Sequence, residues 1–223
     1  LSAADGEQVL KLAAKEEFEY AEVDELGTVV EKDYTPYHID QVLALKLVNR
    51  DAIAQADLKI VVDAVNSVGG VVIPALLRAL GVKEIIELNC EPTGHFAHNP
   101  EPIPENLTQI AAKMKESRAD LGIVVDPDVD RLALISENGE MFGEEYTLVA
   151  VADYVLKHTP GNTVSNLSSS RALKDVTEAY GQQYHAAAVG EVNVVAEMQR
   201  THSVIGGEEN GDGIYPESHY GRD

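Results

Sequence analysis

The chain has 223 residues, 44% of them hydrophobic, which is enough for one large or two small domains with packed cores. Its formal charge of -21, from 38 acidic against 17 basic residues, disfavours nucleic acid and anionic lipid as partners, because counterion release requires a basic surface. No apolar run approaches the roughly 20 residues of a membrane span, and the single cysteine, Cys90, fits a reducing, cytoplasmic setting with no internal disulfide.

Residues 5–20 have helical composition with Asp5 as a candidate cap, and they read as the tail of a preceding domain. The start, Leu-Ser-Ala-Ala-Asp, lacks an initiator methionine and a signal sequence. The end, Tyr-Gly-Arg-Asp, stops after a Gly-rich loop. Both ends suggest an excised segment. A short β-like piece at residues 27–30 interrupts an acidic connector, and apolar spacing predicts one helix from Tyr37 to about Ala56.

The pattern then becomes regular. A strand at 58–63, a helix at 71–80 and a strand at 84–88 form a βαβ unit. A proline-rich loop (91–104), a helix (105–115) and a strand (121–125) follow. The runs 132–136 and 140–142 flank Glu-Asn-Gly, a hairpin signal. Helices at 144–157, 172–180 and 193–201 alternate with strands at 163–167, 184–189 and 203–205. The expectation is an α/β fold with two consecutive three-layer α/β domains and mixed sheets.

Directly after the strand 121–125 comes Asp126-Pro-Asp-Val-Asp-Arg131. Alternate side chains of an extended segment share a face, so Asp126, Asp128 and Asp130 converge and repel one another unless a cation sits between them. An all-oxygen set suits a hard divalent ion, Mg²⁺ above all, and Arg131 offers a fixed fork of donors to a phosphate. An EF-hand also places acidic groups at positions 1, 3, 5 and 12, here ending at Glu137. Arg131 stands where its glycine belongs, and the flanks are β-like. A solvated acidic turn is the plain alternative. The second loop, Gly206-Gly-Glu-Glu-Asn-Gly211, follows a strand. Its glycines allow a tight turn, while Glu208 and Asn210 offer the acceptor and the mixed donor-acceptor that grip vicinal hydroxyls.

Asp126–Arg131 and Gly206–Gly211, in that order, together with Phe-Ala-His-Asn-Pro-Glu-Pro-Ile-Pro-Glu-Asn at 96–106, resemble the α-D-phosphohexomutase family of phosphoglucomutases, phosphomannomutases and phosphoglucosamine mutases. The resemblance implies the second and third of four domains: residues 1–33 as tail and connector, 34–136 as domain II with the metal loop, and 137–223 as domain III with the sugar loop. It implies Mg²⁺ on Asp126, Asp128 and Asp130, a catalytic phosphate contact from Arg131, and a hexose phosphate held by Gly207, Glu208 and Asn210. It also implies a phosphoserine nucleophile on the remaining domains of the same polypeptide, outside this chain. Asn210 and Asp212 stand where many members carry serine and histidine, which leaves the sugar open between glucose, mannose and glucosamine phosphates. Val129 replaces a frequent glycine or alanine, and its side chain is expected to point away from the metal and matter little.

His98-Asn-Pro copies the end of the family's phosphoserine loop, but Ala97 precedes it, so His98 reads as structural. Ser168-Ser-Ser170 and Asn66-Ser67 read as helix caps. Two other classes share part of the pattern. A Mg²⁺-dependent phosphatase uses an Asp-x-Asp loop after a buried strand, and a noncatalytic sugar-phosphate module needs only the Glu208 loop.

Overall fold

The computed structural model describes residues 2–222, which fall into two compact units, one through Tyr34 and one from Thr35 onward. In the first, α1 (Ala3–Lys15) buries no residue. Its cap is Ser2, not Asp5. Ser2 Oγ accepts from the Asp5 amide at 3.3 Å, and the Asp5 carboxylate accepts from the Ser2 amide at 2.8 Å, a reciprocal capping box. A single 3₁₀ turn (Val23–Glu25) follows, and the β-like residues 27–30 form no strand, because exposed Val29 and Val30 have no ladder to join.

The second unit opens with two helices where one is expected, α2 (Thr35–Ala44) and α3 (Arg50–Gln55). The chain turns at 45–48, and Asn49 starts a new helix by accepting from the Ala52 amide at 3.0 Å. Apolar spacing cannot register such a turn, because the apolar residues on either side still face the core.

Strands β1 (Lys59–Asp63), β2 (Glu84–Leu88), β3 (Leu121–Val125) and β4 (Leu132–Ser136) form a sheet of order β2-β1-β3-β4. It is parallel except for β4, which pairs antiparallel with β3. Alternation along β1 assigns the faces. Val61 packs with Ile110 and Met114 of α5 (Thr108–Ser117), whereas Ile60 and Val62 pack with Leu77 of α4 (Gly69–Leu80). Fully burying a side chain such as Ile110 or Met114 contributes roughly 1.5–3 kcal/mol. The expected hairpin closes through an Ile135–Met141 bridge, with Gly139 at φ 79°.

A second set of elements repeats the layering. Strands β5 (Thr163–Asn166), β6 (Tyr184–Ala187) and β7 (Ile205–Gly207) form a parallel sheet of order β6-β5-β7, to which Ile214 adds one antiparallel bridge at Gly206. Helices α6 (Glu144–His158) and α7 (Ala172–Ala179) supply Leu148, Ala152, Val155 and Leu173 to one cluster with Ile205. Helix α8 (Glu191–Thr201) supplies Val194 and Met198 to another with Val164. Two sheets, each between helices, thus form consecutive α/β/α layers. Among the described residues, no helix is long and apolar enough to cross a membrane.

Candidate functional site

The chemistry-bearing residues collect where parallel strands end, as expected of open α/β sheets. Asp63 closes β1, Asp126 follows β3, Asn166 closes β5 and Glu208 follows β7.

Asp126, Asp128 and Asp130 each offer a carboxylate oxygen, all within 4.8 Å of one another. The loop is shaped by Asp126 itself, whose Oδ1 accepts from the amides of Asp130 and Arg131, both at 3.1 Å. Burial pushes the Asp126 carboxyl up to about 6. The Arg131 amide opposes this, and the neighbouring Asp130 and Asp128 charges add to it. The Asp126 carboxyl therefore holds a proton more tightly than an ordinary carboxylate does, chiefly because it is buried. The reversal of the chain falls on Val129, at φ 63°, in the left-handed region that favours glycine.

The loop is also held from outside. Ser67 Oγ donates to the Pro127 carbonyl at 2.7 Å, so Ser67 is not the helix cap its position suggests, and α4 starts without a side-chain cap. Asn66 likewise donates from its side chain to the His95 carbonyl at 3.1 Å. Arg131 pairs with Glu101 of the proline-rich loop. That loop is pinned by His98, whose Nε2 lies 3.2 Å from buried Asp63 and whose Nδ1 lies 2.7 Å from the Asn99 carbonyl. Asp63 also accepts from the Val65 amide and the Asn89 side chain.

The second loop is built differently. Glu208 is buried, and its Oε1 accepts from Asn166 Nδ2 at 2.9 Å and the Gly190 amide at 2.7 Å. The Glu208 amide donates to Asp212 Oδ1 at 2.6 Å. Burial raises the Asp212 carboxyl to about 6, against the Glu208 amide, and the Glu208 charge adds to the rise. Asn210 Oδ1 is buried without a hydrogen-bond partner among the described residues. Gly207 lies inside β7, where an added Cβ would meet the Asp212 carbonyl at 2.7 Å and Leu148 at 3.1 Å. It spaces the strand tightly and presents no open face. Ser169 donates to Asn166 Oδ1, and Ser170 Oγ accepts from the Ala172 amide, but the N-cap position of α7 is Arg171 and the helix starts without a side-chain cap, so these serines do not fill the cap role expected of them.

One residue joins the loops. Arg222 pairs with Asp130 and lies 3.7 Å from Glu208 and 3.8 Å from Asp212. The aspartate cluster and the Glu208 loop are thus within reach of a single side chain. Sequence reading missed Arg222, Glu101 and Asn166. Each acts across a long sequence separation, and only the surplus of acid over base hinted that the few arginines matter.

Residues 36–139 match the profile described as phosphoglucomutase/phosphomannomutase, alpha/beta/alpha domain II, and residues 143–223 match domain III. The chain belongs to the α-D-phosphohexomutase family. Among its relatives, a phosphoglucomutase/phosphomannomutase of Thermococcus kodakarensis is 35% identical over 96% of this chain and 47% of its own length. A protein of Methanopyrus kandleri named a probable phosphoglucosamine mutase is 35% identical over 91% and 44%. A solved family member from Burkholderia thailandensis superposes on all of this chain and 47% of its own with a TM-score of 0.81 at 26% identity. The phosphohexomutase chain described here spans about half the length of the curated relatives it matches.

Proposed function

We propose that this chain supplies the metal-binding and sugar-binding walls of a mutase that interconverts hexose 1-phosphate and hexose 6-phosphate through a phosphoserine enzyme and a bisphosphorylated sugar. The single observation that carries the reading is the meeting of the Asp126–Asp128–Asp130 cluster with the Glu208 loop at one guanidinium, in a member of this family. The division into 1–33, 34–136 and 137–223 belongs to the same proposal. So do a cytoplasmic setting and the assignment of the phosphoserine to other domains of the polypeptide.

The residues fit Mg²⁺. Three carboxylates form an all-oxygen set, one of them is protonated unusually easily, and the loop backbone is already fixed by Asp126 Oδ1. When bound, the ion supplies Lewis-acid stabilisation of charge on the transferring phosphoryl group. Arg131 presents its guanidinium to the same group, oriented by Glu101. Glu208 keeps Oε2 and Asn210 keeps Oδ1 for sugar hydroxyls, while Asn166 and the Gly190 amide hold Glu208 in place. In the net reaction, the sugar takes the phosphoryl group from the serine on one oxygen and returns the group on its other oxygen. Atoms and charge balance without a further reactant.

The Thermococcus relative's name supports glucose and mannose phosphates, and the Methanopyrus relative's name, at the same identity, supports glucosamine phosphate as a second reading. A coupled assay of the full-length polypeptide on glucose, mannose and glucosamine 1-phosphates, with and without Mg²⁺, tests both. Mg²⁺-dependent conversion of one of them to the 6-phosphate is expected, and conversion of none sinks the proposal. The 223-residue chain alone is expected to show no turnover.

A further inference from the structure

Four carboxylates from three segments face Arg222. Its Nη2 pairs with Asp130 Oδ2, its Nε lies 3.6 Å from Glu191 Oε2 and 3.8 Å from Asp212 Oδ2, and its Nη1 lies 3.7 Å from Glu208 Oε2. Only the Asp130 contact has hydrogen-bond length. Nε of Arg222 and Oδ2 of Asp212 are both buried and have no hydrogen-bond partner among the described residues. A guanidinium carries five donors in a rigid planar fork, and here most of the fork is near anions without being bonded to them. Such a group neutralises the pit electrostatically while keeping donors free.

Two consequences follow from charge alone. A divalent cation entering among Asp126, Asp128 and Asp130 must share Asp130 with a guanidinium already paired to it. An anionic ligand entering a chain of charge -21 needs cations in the cleft beyond Arg131, whose charge Glu101 partly offsets. We propose that Arg222 is the shared counter-ion of the two loops, competing with the divalent cation for Asp130 and giving its spare donors to the phosphate of the sugar phosphate. This rests on the mutase reading of the cleft, and it adds a second arginine to the one that the sequence motif contains.

Removing a brace and removing a competing charge have different signatures. Loss of a brace loosens both loops and weakens every ligand. Loss of a competing charge a few ångströms from the aspartates strengthens cation binding and weakens anion binding. Titration calorimetry of the full-length polypeptide in its unphosphorylated form, first with Mg²⁺ and then with glucose 1-phosphate at saturating Mg²⁺, separates them. For Arg222→Gln the expected result is Mg²⁺ affinity raised about three- to tenfold and glucose 1-phosphate affinity lowered about tenfold. Arg222→Lys keeps the charge and loses the fork, so Mg²⁺ affinity should stay within about twofold of wild type while the sugar phosphate still weakens. The lysine variant carries the test alone if the glutamine variant fails to fold. Both ligands weakening together, or neither changing, overturns the inference and leaves the metal reading intact. A wild-type chain that binds no Mg²⁺ overturns both.

Discussion

The two loops that meet at Arg222 are opposites in construction. The aspartate loop is half open. Asp128 is exposed, Asp126 carries a raised pKa, and the turn is forced through a valine in a left-handed conformation. The Glu208 loop is closed before any ligand arrives, its glutamate buried and bonded by Asn166 and the Gly190 amide. Repulsion among like charges is relieved by whatever positive ion enters, whereas hydroxyl recognition needs acceptors already fixed in direction. The first loop is braced mainly through its own backbone and Asp126, and the second through a buried glutamate whose partners are in place, although Asn210 Oδ1 and Asp212 Oδ2 beside it have none among the described residues.

The largest effect that tests this contrast should come from the open loop. Asp128→Asn removes an exposed carboxylate that the mutase reading assigns to the metal and that makes little of the fold. Mg²⁺ affinity should drop about a hundredfold or more with the melting temperature nearly unchanged, since even outer-shell losses cost ten- to hundredfold. Calorimetry with Mg²⁺ and a thermal melt check it together, and unaltered Mg²⁺ binding removes Asp128 from the site. The closed loop should answer in the opposite sense. Asn166→Ala leaves the buried Glu208 carboxylate without one of its donors and should cost about 2.5 kcal/mol in urea denaturation, with Mg²⁺ affinity held.

A third measurement reads both loops at once. Asp126 and Asp212 hold protons up to about pH 6 in the fold, against about 3.9 in an unfolded chain. Between those values the folded state binds more protons, so their contribution to stability is full below pH 4 and is lost as pH rises through 6. In EDTA, the chain should therefore lose stability from pH 4.5 to 7 through these groups. Mg²⁺ at a hundredfold excess over its Kd should stabilise the chain at pH 7 by about 2.7 kcal/mol and leave the Asp212 share of the loss in place. Equal stability at pH 7 with and without Mg²⁺ would falsify the idea that the aspartate loop stores repulsion. Glu197, half-buried and held low by Arg200, and exposed Glu217, held low by Tyr215, pull weakly the other way.

Much of this was readable in the sequence, and the exceptions share a cause. Strands β2, β3 and β4 fall at the bounds that the sequence predicts, because the spacing of apolar residues along a short segment is a local pattern, and in β2 it survives with Glu84 and Glu87 exposed. The convergence of three aspartates is likewise local, set by alternation over five residues. Ser67 illustrates what is not local. A serine before a helix reads as a cap, yet its partner is Pro127, sixty residues on, and nothing near Ser67 announces it. The same holds for Glu101 with Arg131 and for Arg222 with Asp130, pairs created by the adjacency of loops at strand ends. Residues 27–30 failed in reverse, since β propensity without a neighbouring strand has nothing to pair with.

Val129 gives the smallest expected effect. The sequence suggested a side chain of little consequence in the aspartate loop, but the backbone there is at φ 63°, where Cβ crowds the carbonyl and a branched side chain is least tolerated. Its Cγ2 reaches toward Gly69, where an added Cβ would lie 3.4 Å away, so the side chain packs to some degree. Trimming a packed valine ordinarily destabilises, and releasing a left-handed β-branched residue stabilises by about 1–2 kcal/mol. The strain should win in this half-open loop. Val129→Gly should raise stability by about 1 kcal/mol in urea denaturation while Mg²⁺ affinity falls slightly, because a freer loop must be ordered on binding. A loss of stability instead would mean that the valine's packing outweighs its backbone strain, and the aspartate loop would then resemble the Glu208 loop more than its charges suggest.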